Sequence, residues 1–193
     1  MKIQEAINKR HSIREFEPKK VSREIIKKLI INASKAPSAA NLQPWKFYVV
    51  DSEKKINEIL KLHQKVLIKQ KEDYKKLEKK LQAIAKTFYT NLGNCKTIIL
   101  VYNTKIQKDK AVRDNLIKSI SAAIENLMLS ALEYNLGTCW MSSFRRIEKE
   151  INKLLKIKDK ELIAGILIGY PKKGYSPLVR EKKKLNEILK FIK

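Results

Sequence analysis

Cysteine occurs twice, at Cys95 and Cys139, far apart and outside any CxxC spacing, which excludes a disulfide framework and a zinc-ligand cluster. That usage suits a reducing compartment, and a cytoplasmic protein is expected. Glycine and proline are equally sparse, five of each, which excludes collagen-like and low-complexity chains. No run approaches the roughly 18 apolar residues of a membrane span, and Met1-Lys2-Ile3-Gln4-Glu5-Ala6 lacks the apolar stretch of a signal peptide, so no membrane association is expected. The two histidines, His11 and His63, have no carboxylate or thiol at ligand spacing. A metal site is therefore not expected, and His63 reads as a polar residue on an exposed helix. Acidic residues are scarce, 20 against 43 Lys plus Arg, for a net charge of +23. Such a field attracts polyanions. The lysines, however, are interleaved with glutamates, as in Glu72-Asp73-Tyr74-Lys75-Lys76-Leu77-Glu78-Lys79-Lys80, the pattern of solvated helix faces. No helix-turn-helix, finger or ribonucleoprotein motif accompanies them, so specific nucleic-acid binding is the minor alternative.

What is present is a globular composition, 44% hydrophobic and 33% charged over 193 residues, enough for a single domain with its own core. Ser22 with Ile25, Ile26, Leu29, Ile30 and Ala33 predicts a capped amphipathic helix, Val21 stapling against Ile26. Trp45-Lys46-Phe47-Tyr48-Val49-Val50 predicts a strand closed by Asp51-Ser52. Residues 53–94 form a polar, lid-like helical excursion in which Ile56, Ile59, Leu60, Val66 and Leu67, then Tyr74, Leu77, Leu81 and Ile84, recur at helical spacing to about Tyr89. Thr97 to Tyr102 is apolar without alternation, which predicts a strand covered on both faces. A broad apolar stripe predicts a helix from about Asn115 to Asn135 with Gly137 as its stop, followed by strands at Thr138–Met141 and Leu162–Ile168. Residues 180–193 form a C-terminal arm, basic and then apolar. The class is α+β, a central mixed sheet covered by helices.

Two segments carry chemistry. Arg10-His11-Ser12-Ile13-Arg14-Glu15-Phe16 gathers two of only seven arginines with a hydroxyl, a set suited to an anion such as phosphate or to a solvated basic turn. Ala36-Pro37-Ser38-Ala39-Ala40-Asn41-Leu42-Gln43-Pro44-Trp45 leads into a strand and offers the amides of Asn41 and Gln43, each donor and acceptor, to the edge of a planar heterocycle. An ordinary helix-to-strand connection is the other reading of that stretch.

In tandem these segments resemble the nitroreductase family of flavin enzymes. Leu136-Gly137-Thr138-Cys139-Trp140-Met141-Ser142-Ser143-Phe144 resembles that family's strand and turn beside the flavin, and Ile166-Leu167-Ile168-Gly169-Tyr170-Pro171 its last core strand. The resemblance implies a homodimer with FMN in grooves at the subunit interface, reduced by NAD(P)H and reoxidised in ping-pong fashion by a small planar acceptor, a nitroaromatic or quinone. By position it implies that Arg10 and Ser12 hold the phosphate and ribityl end, that His11 between them is among the cofactor-binding residues, and that Arg14 lies near the pyrimidine edge. Pro37, Ser38 and Ala39 would line the ring from the other subunit, with Asn41 and Gln43 on its polar edge. Met141, Ser142 and Ser143 would form the turn beside flavin N5, and Arg180 with Lys182 would close over the phosphate. No catalytic side chain is implied, since the cofactor carries the chemistry. Ser143 stands where the family often has Gly, and Ala39 where it often has Ser. A dehalogenase, a flavin-modifying enzyme or a flavin sensor would share these motifs.

Overall fold

Four apolar runs pair into one antiparallel sheet. The strands β1 (Trp45–Val50), β2 (Ile98–Asn103), β3 (Gly137–Met141) and β4 (Glu161–Gly169) lie in the order β1-β2-β4-β3. All three ladders are antiparallel. Parallel pairing enters through a single bridge, Ser12 to Thr138, beside β3. The computed structural model describes residues 1–69, 88, 90–178 and 181–192.

The helices are α1 (Ile3–Lys9), α2 (Arg23–Ala33), α3 (Glu53–Lys69), α4 (Lys110–Ala131) and α5 (Glu148–Leu155), with a last helical turn at Leu185–Ile188. Successive residues of β2 point to opposite faces, and each face meets its own helices. Ile99 and Val101 pack with Leu29 of α2 and Ile120, Ile124 and Leu127 of α4. Ile98, Leu100 and Tyr102 pack with Ile56 and Ile59 of α3 and Ile151 of α5. All six residues of β2 are buried, which is why its sequence does not alternate. The result is the α+β layering expected, three layers deep.

Local chemistry sets the helix ends. Ser22 Oγ accepts from the Ile25 amide at 3.3 Å, and Val21 and Ile26 are both buried, as a staple requires. Helix α4 starts earlier than its apolar stripe, because Asp109 Oδ1 accepts from the Val112 amide at 2.9 Å and caps a polar first turn. Gly137 is not its stop. The left-handed residue is Asn135, φ 55°, whereas Gly137 opens β3, where a Cβ would stand 2.4 Å from Ile13 Cγ1. Helix α3 begins the excursion as expected; Tyr74, Leu77, Leu81 and Ile84 lie outside the described residues. Among the described residues, no helix is long and apolar enough to cross a membrane.

Candidate functional site

After α1 the chain runs extended beside β3. The Ile13 amide donates to Thr138 O at 2.9 Å, the Arg14 amide to the Tyr175 hydroxyl at 3.2 Å and the Phe16 amide to Gly93 O at 2.8 Å. At Gly93, φ is +63° and a Cβ would lie 2.2 Å from Arg14 O, so glycine alone admits this crossing. The Ser12–Thr138 pairing is parallel. Arg10, Ser12 and Arg14 therefore run in the direction of β3, which ends at the Met141-Ser142-Ser143 turn. Arg10, half-buried, has Nε 3.2 Å from Glu125 Oε1 of α4. Arg14 Nη1 donates to Ser12 O at 3.3 Å. His11 lines a cavity of about 630 Å³ whose wall includes Ile13, Gly137, Pro171 and Tyr175.

The second segment is a strained loop. Ala40, Asn41 and Gln43 have φ of 49°, 53° and 43°, a conformation that costs a side-chain-bearing residue roughly 1 kcal/mol or more and persists where the surroundings impose it. Two serines do so. Ser119 Oγ of α4 accepts from the Ala39 amide at 3.1 Å, and Ser38 Oγ accepts from the Gln43 amide at 3.1 Å. Gln43 Nε2 donates to Asn41 Oδ1 at 3.1 Å, so the two amides stand exposed as a pair. Pro37 and Ala39 are exposed beside them and Ser38 is half-buried.

At the end of β3, Met141 is buried in the core, Ser142 is exposed and Ser143 is half-buried. His63 lies behind this turn, with Nε2 2.8 Å from Ser143 Oγ. His63 is fully buried and not on an exposed face. Its position four and seven residues after Ile59 and Ile56 puts it on the buried stripe of α3. Burial pushes its pKa down to about 4, so the ring is neutral at pH 7. The same effect raises Cys95 to about 12 and Cys139 to about 11, the latter partly offset by the charge of Arg14. Both thiols are inert core groups, as expected of small hydrophobes.

The structure thus joins Arg10, Ser12 and Arg14 along one edge and Ser38, Asn41 and Gln43 in one loop. Helix α4 carries both attachments, Ser119 and Glu125 lying about 9 Å apart along its axis. Among the described residues, no hydrogen bond or ion pair links the two segments directly or ties Lys182 to either. Lys182 is exposed, and Arg180 lies outside the described residues. The sequence reading missed Ser119, Glu125, Gly93, Tyr175 and the burial of His63. Ser119 had a signal, a hydroxyl inside the apolar stripe Leu116, Ile120, Ala123. Glu125 and Tyr175 had none, because their partners are remote in sequence. The donor set suits a molecule with an anionic end and a flat polar end: guanidinium groups and a hydroxyl on one segment, an exposed amide pair on the other.

The sequence profile described as the nitroreductase family matches residues 7–170. A Bacillus subtilis (strain 168) protein named as an NAD(P)H nitroreductase, YfhC, is 30% identical over 88% of this chain and 84% of its own length. The iodotyrosine deiodinase of Hydra vulgaris is 28% identical over 95% of this chain and 70% of its own. Among solved structures, the FMN and NADPH-dependent nitroreductase NfnB from sphigopyxis sp. strain HMH superposes with a TM-score of 0.80 at 17% identity, covering 100% of both chains. With the profile spanning most of the chain and the layered sheet matching a nitroreductase structure over its full length, this chain belongs to the nitroreductase family.

Proposed function

We propose that the protein is a homodimeric, FMN-dependent oxidoreductase of the cytoplasm that passes hydride from NAD(P)H to a small planar acceptor such as a nitroaromatic or quinone. The observation that carries this reading is the parallel run of Arg10, Ser12 and Arg14 along β3 toward Ser142 and Ser143. That direction supports an extended FMN bound with its phosphate end first and its ring end last.

In this reading Arg10, His11 and Ser12 bind the phosphate and ribityl chain, and Arg14 places a cation beside the ring. Bound FMN supplies a ring that accepts hydride from a nicotinamide and returns it to an acceptor. Arg14 favours that chemistry by stabilising the negative charge that arrives with hydride. Asn41 and Gln43 bond the ring's polar edge from the second subunit, where Pro37, Ser38 and Ala39 form the wall. Ser142 and Ser143 border the reacting face, and Arg180 with Lys182 closes the phosphate end. Exposed Ile3, Ile7, Leu185, Ile188, Phe191 and Ile192, between 52% and 91% accessible, supply apolar surface for the pairing of two copies.

Anaerobic visible spectroscopy tests the reading. The expected result is a flavin spectrum, native or after reconstitution with FMN, that bleaches on addition of NADH or NADPH and recovers with a nitroaromatic or quinone. A protein that cannot be loaded with FMN refutes it. The deiodinase relative supports a second output, reductive dehalogenation of a small aromatic; halide release by the reduced protein, with no turnover of nitroaromatics or quinones, would establish that alternative.

A further inference from the structure

Neither the cationic segment nor the amide loop uses His63, yet this side chain is built into the ring-end turn from two sides. Its Nε2 lies 2.8 Å from Ser143 Oγ. Its ring stands edge-on to Phe144, with centroids 5.2 Å apart and planes at 68°. Phe144 in turn fills the space above Gly165 of β4, where a Cβ would lie 2.3 Å from the phenyl ring. The turn that follows β3 is therefore wedged between the sheet and α3, and one imidazole of α3 touches two consecutive residues of it.

A Leu or Phe would pack at this buried site without the desolvation that a polar ring suffers there. What an apolar side chain cannot do is bond the Ser143 hydroxyl. A neutral imidazole can do so in either tautomer, because serine both donates and accepts. The ring also has no freedom to leave: it is fully buried, and Phe144 blocks one side.

We propose that His63 is a positioning residue for the Ser142–Ser143 turn, holding Ser143 Oγ so that the turn presents one fixed set of polar groups to the flavin ring. The proposal rests on the reading of that turn as the ring-facing one. It also makes the seating of α3 on the sheet a determinant of flavin binding, since any shift of the helix moves the imidazole that holds the turn.

Four variants in the full-length protein test this: His63→Leu, His63→Gln, Ser143→Ala and the double variant His63→Leu with Ser143→Ala. FMN affinity, the visible spectrum and the midpoint potential of the bound flavin are measured for each. Losing one hydrogen bond corresponds to about a fivefold weaker affinity. His63→Leu and Ser143→Ala are expected to weaken FMN by about that factor with the same spectral and potential shifts, and the double variant to be no worse than either. His63→Gln, whose amide nitrogen reaches the Nε2 position, is expected to restore all three readouts. Fully additive effects, or a His63→Leu protein identical to the wild type, overturn the proposal. Should His63→Leu fail to fold, nitrogen NMR of the imidazole in flavin-free Ser143→Ala decides: a shifted Nε2 resonance supports the bond, and an unmoved one overturns it. A wild type that takes up no FMN removes the flavin reading and this role together, whereas a wild type that binds FMN with His63→Leu unchanged removes the role of His63 alone.

Discussion

At the scale of single residues, burial and charge pairing set the expected responses. His63 titrates near 4 in the folded protein against an ordinary value of 6.5. The unfolded chain therefore takes up a proton that the native chain refuses, and stability falls as pH drops from about 6.5 to about 4, by up to about 3 kcal/mol. Urea unfolding across that range should reveal the slope, and His63→Gln should flatten it. Arg10 and Arg14 each offer a charge-assisted contact of about 1.5–3 kcal/mol, so Arg10→Ala or Arg14→Ala is expected to weaken FMN by roughly ten- to a hundredfold, as a flavin fluorescence titration would measure. Arg14 was legible as a candidate because arginine is rare in this lysine-rich chain. The burial of His63 was legible too, in its spacing from Ile56 and Ile59, but a polar residue in a lysine-rich helix invites the solvent-facing reading. Packing decided otherwise.

At the scale of elements, strands were the most readable part. β1 coincides with its aromatic and β-branched run, and β2 and β4 with their unalternating apolar runs, because side chains buried on both faces leave no polar positions to mislead. Helix ends were less readable: Asp109 caps a turn with no apolar stripe, and Asn135 takes the left-handed stop expected of Gly137. The amide loop could be suspected from its composition, but not the three left-handed residues in it, whose conformation depends on Ser119 some 80 residues away in the chain. Ser119→Ala removes that acceptor and is expected to lower the melting temperature by roughly 2–4 °C, about 1 kcal/mol in a chain of this size, together with FMN affinity. Gly93→Ala sets a methyl against the Arg14 carbonyl at positive φ and is expected to cost on the order of 3 kcal/mol. Calorimetry compares the two, and a Gly93→Ala protein as stable as the wild type would contradict the crossing described at Arg14.

At the scale of the whole molecule, the exposed apolar residues of α1 and of the arm are the least satisfied part of the surface. Removing residues 181–193 is expected to leave the sheet folded while shifting the sedimentation of the proposed dimer toward monomer and lowering FMN retention. Unchanged dimerisation would confine the interface to other surfaces.

The hydrogen bond from the Arg14 amide to Tyr175 spans 161 residues of sequence, and it has a temporal consequence. During synthesis the basic segment leaves the ribosome long before β3, Pro171 or Tyr175 exists to receive it. The Arg14 amide must therefore wait for this partner until Tyr175 has been made, later than the Gly93 and Thr138 carbonyls that receive Phe16 and Ile13. Pairings so distant in sequence form slowly, so the edge that carries Arg10, Ser12 and Arg14 should be among the last parts of the molecule to mature.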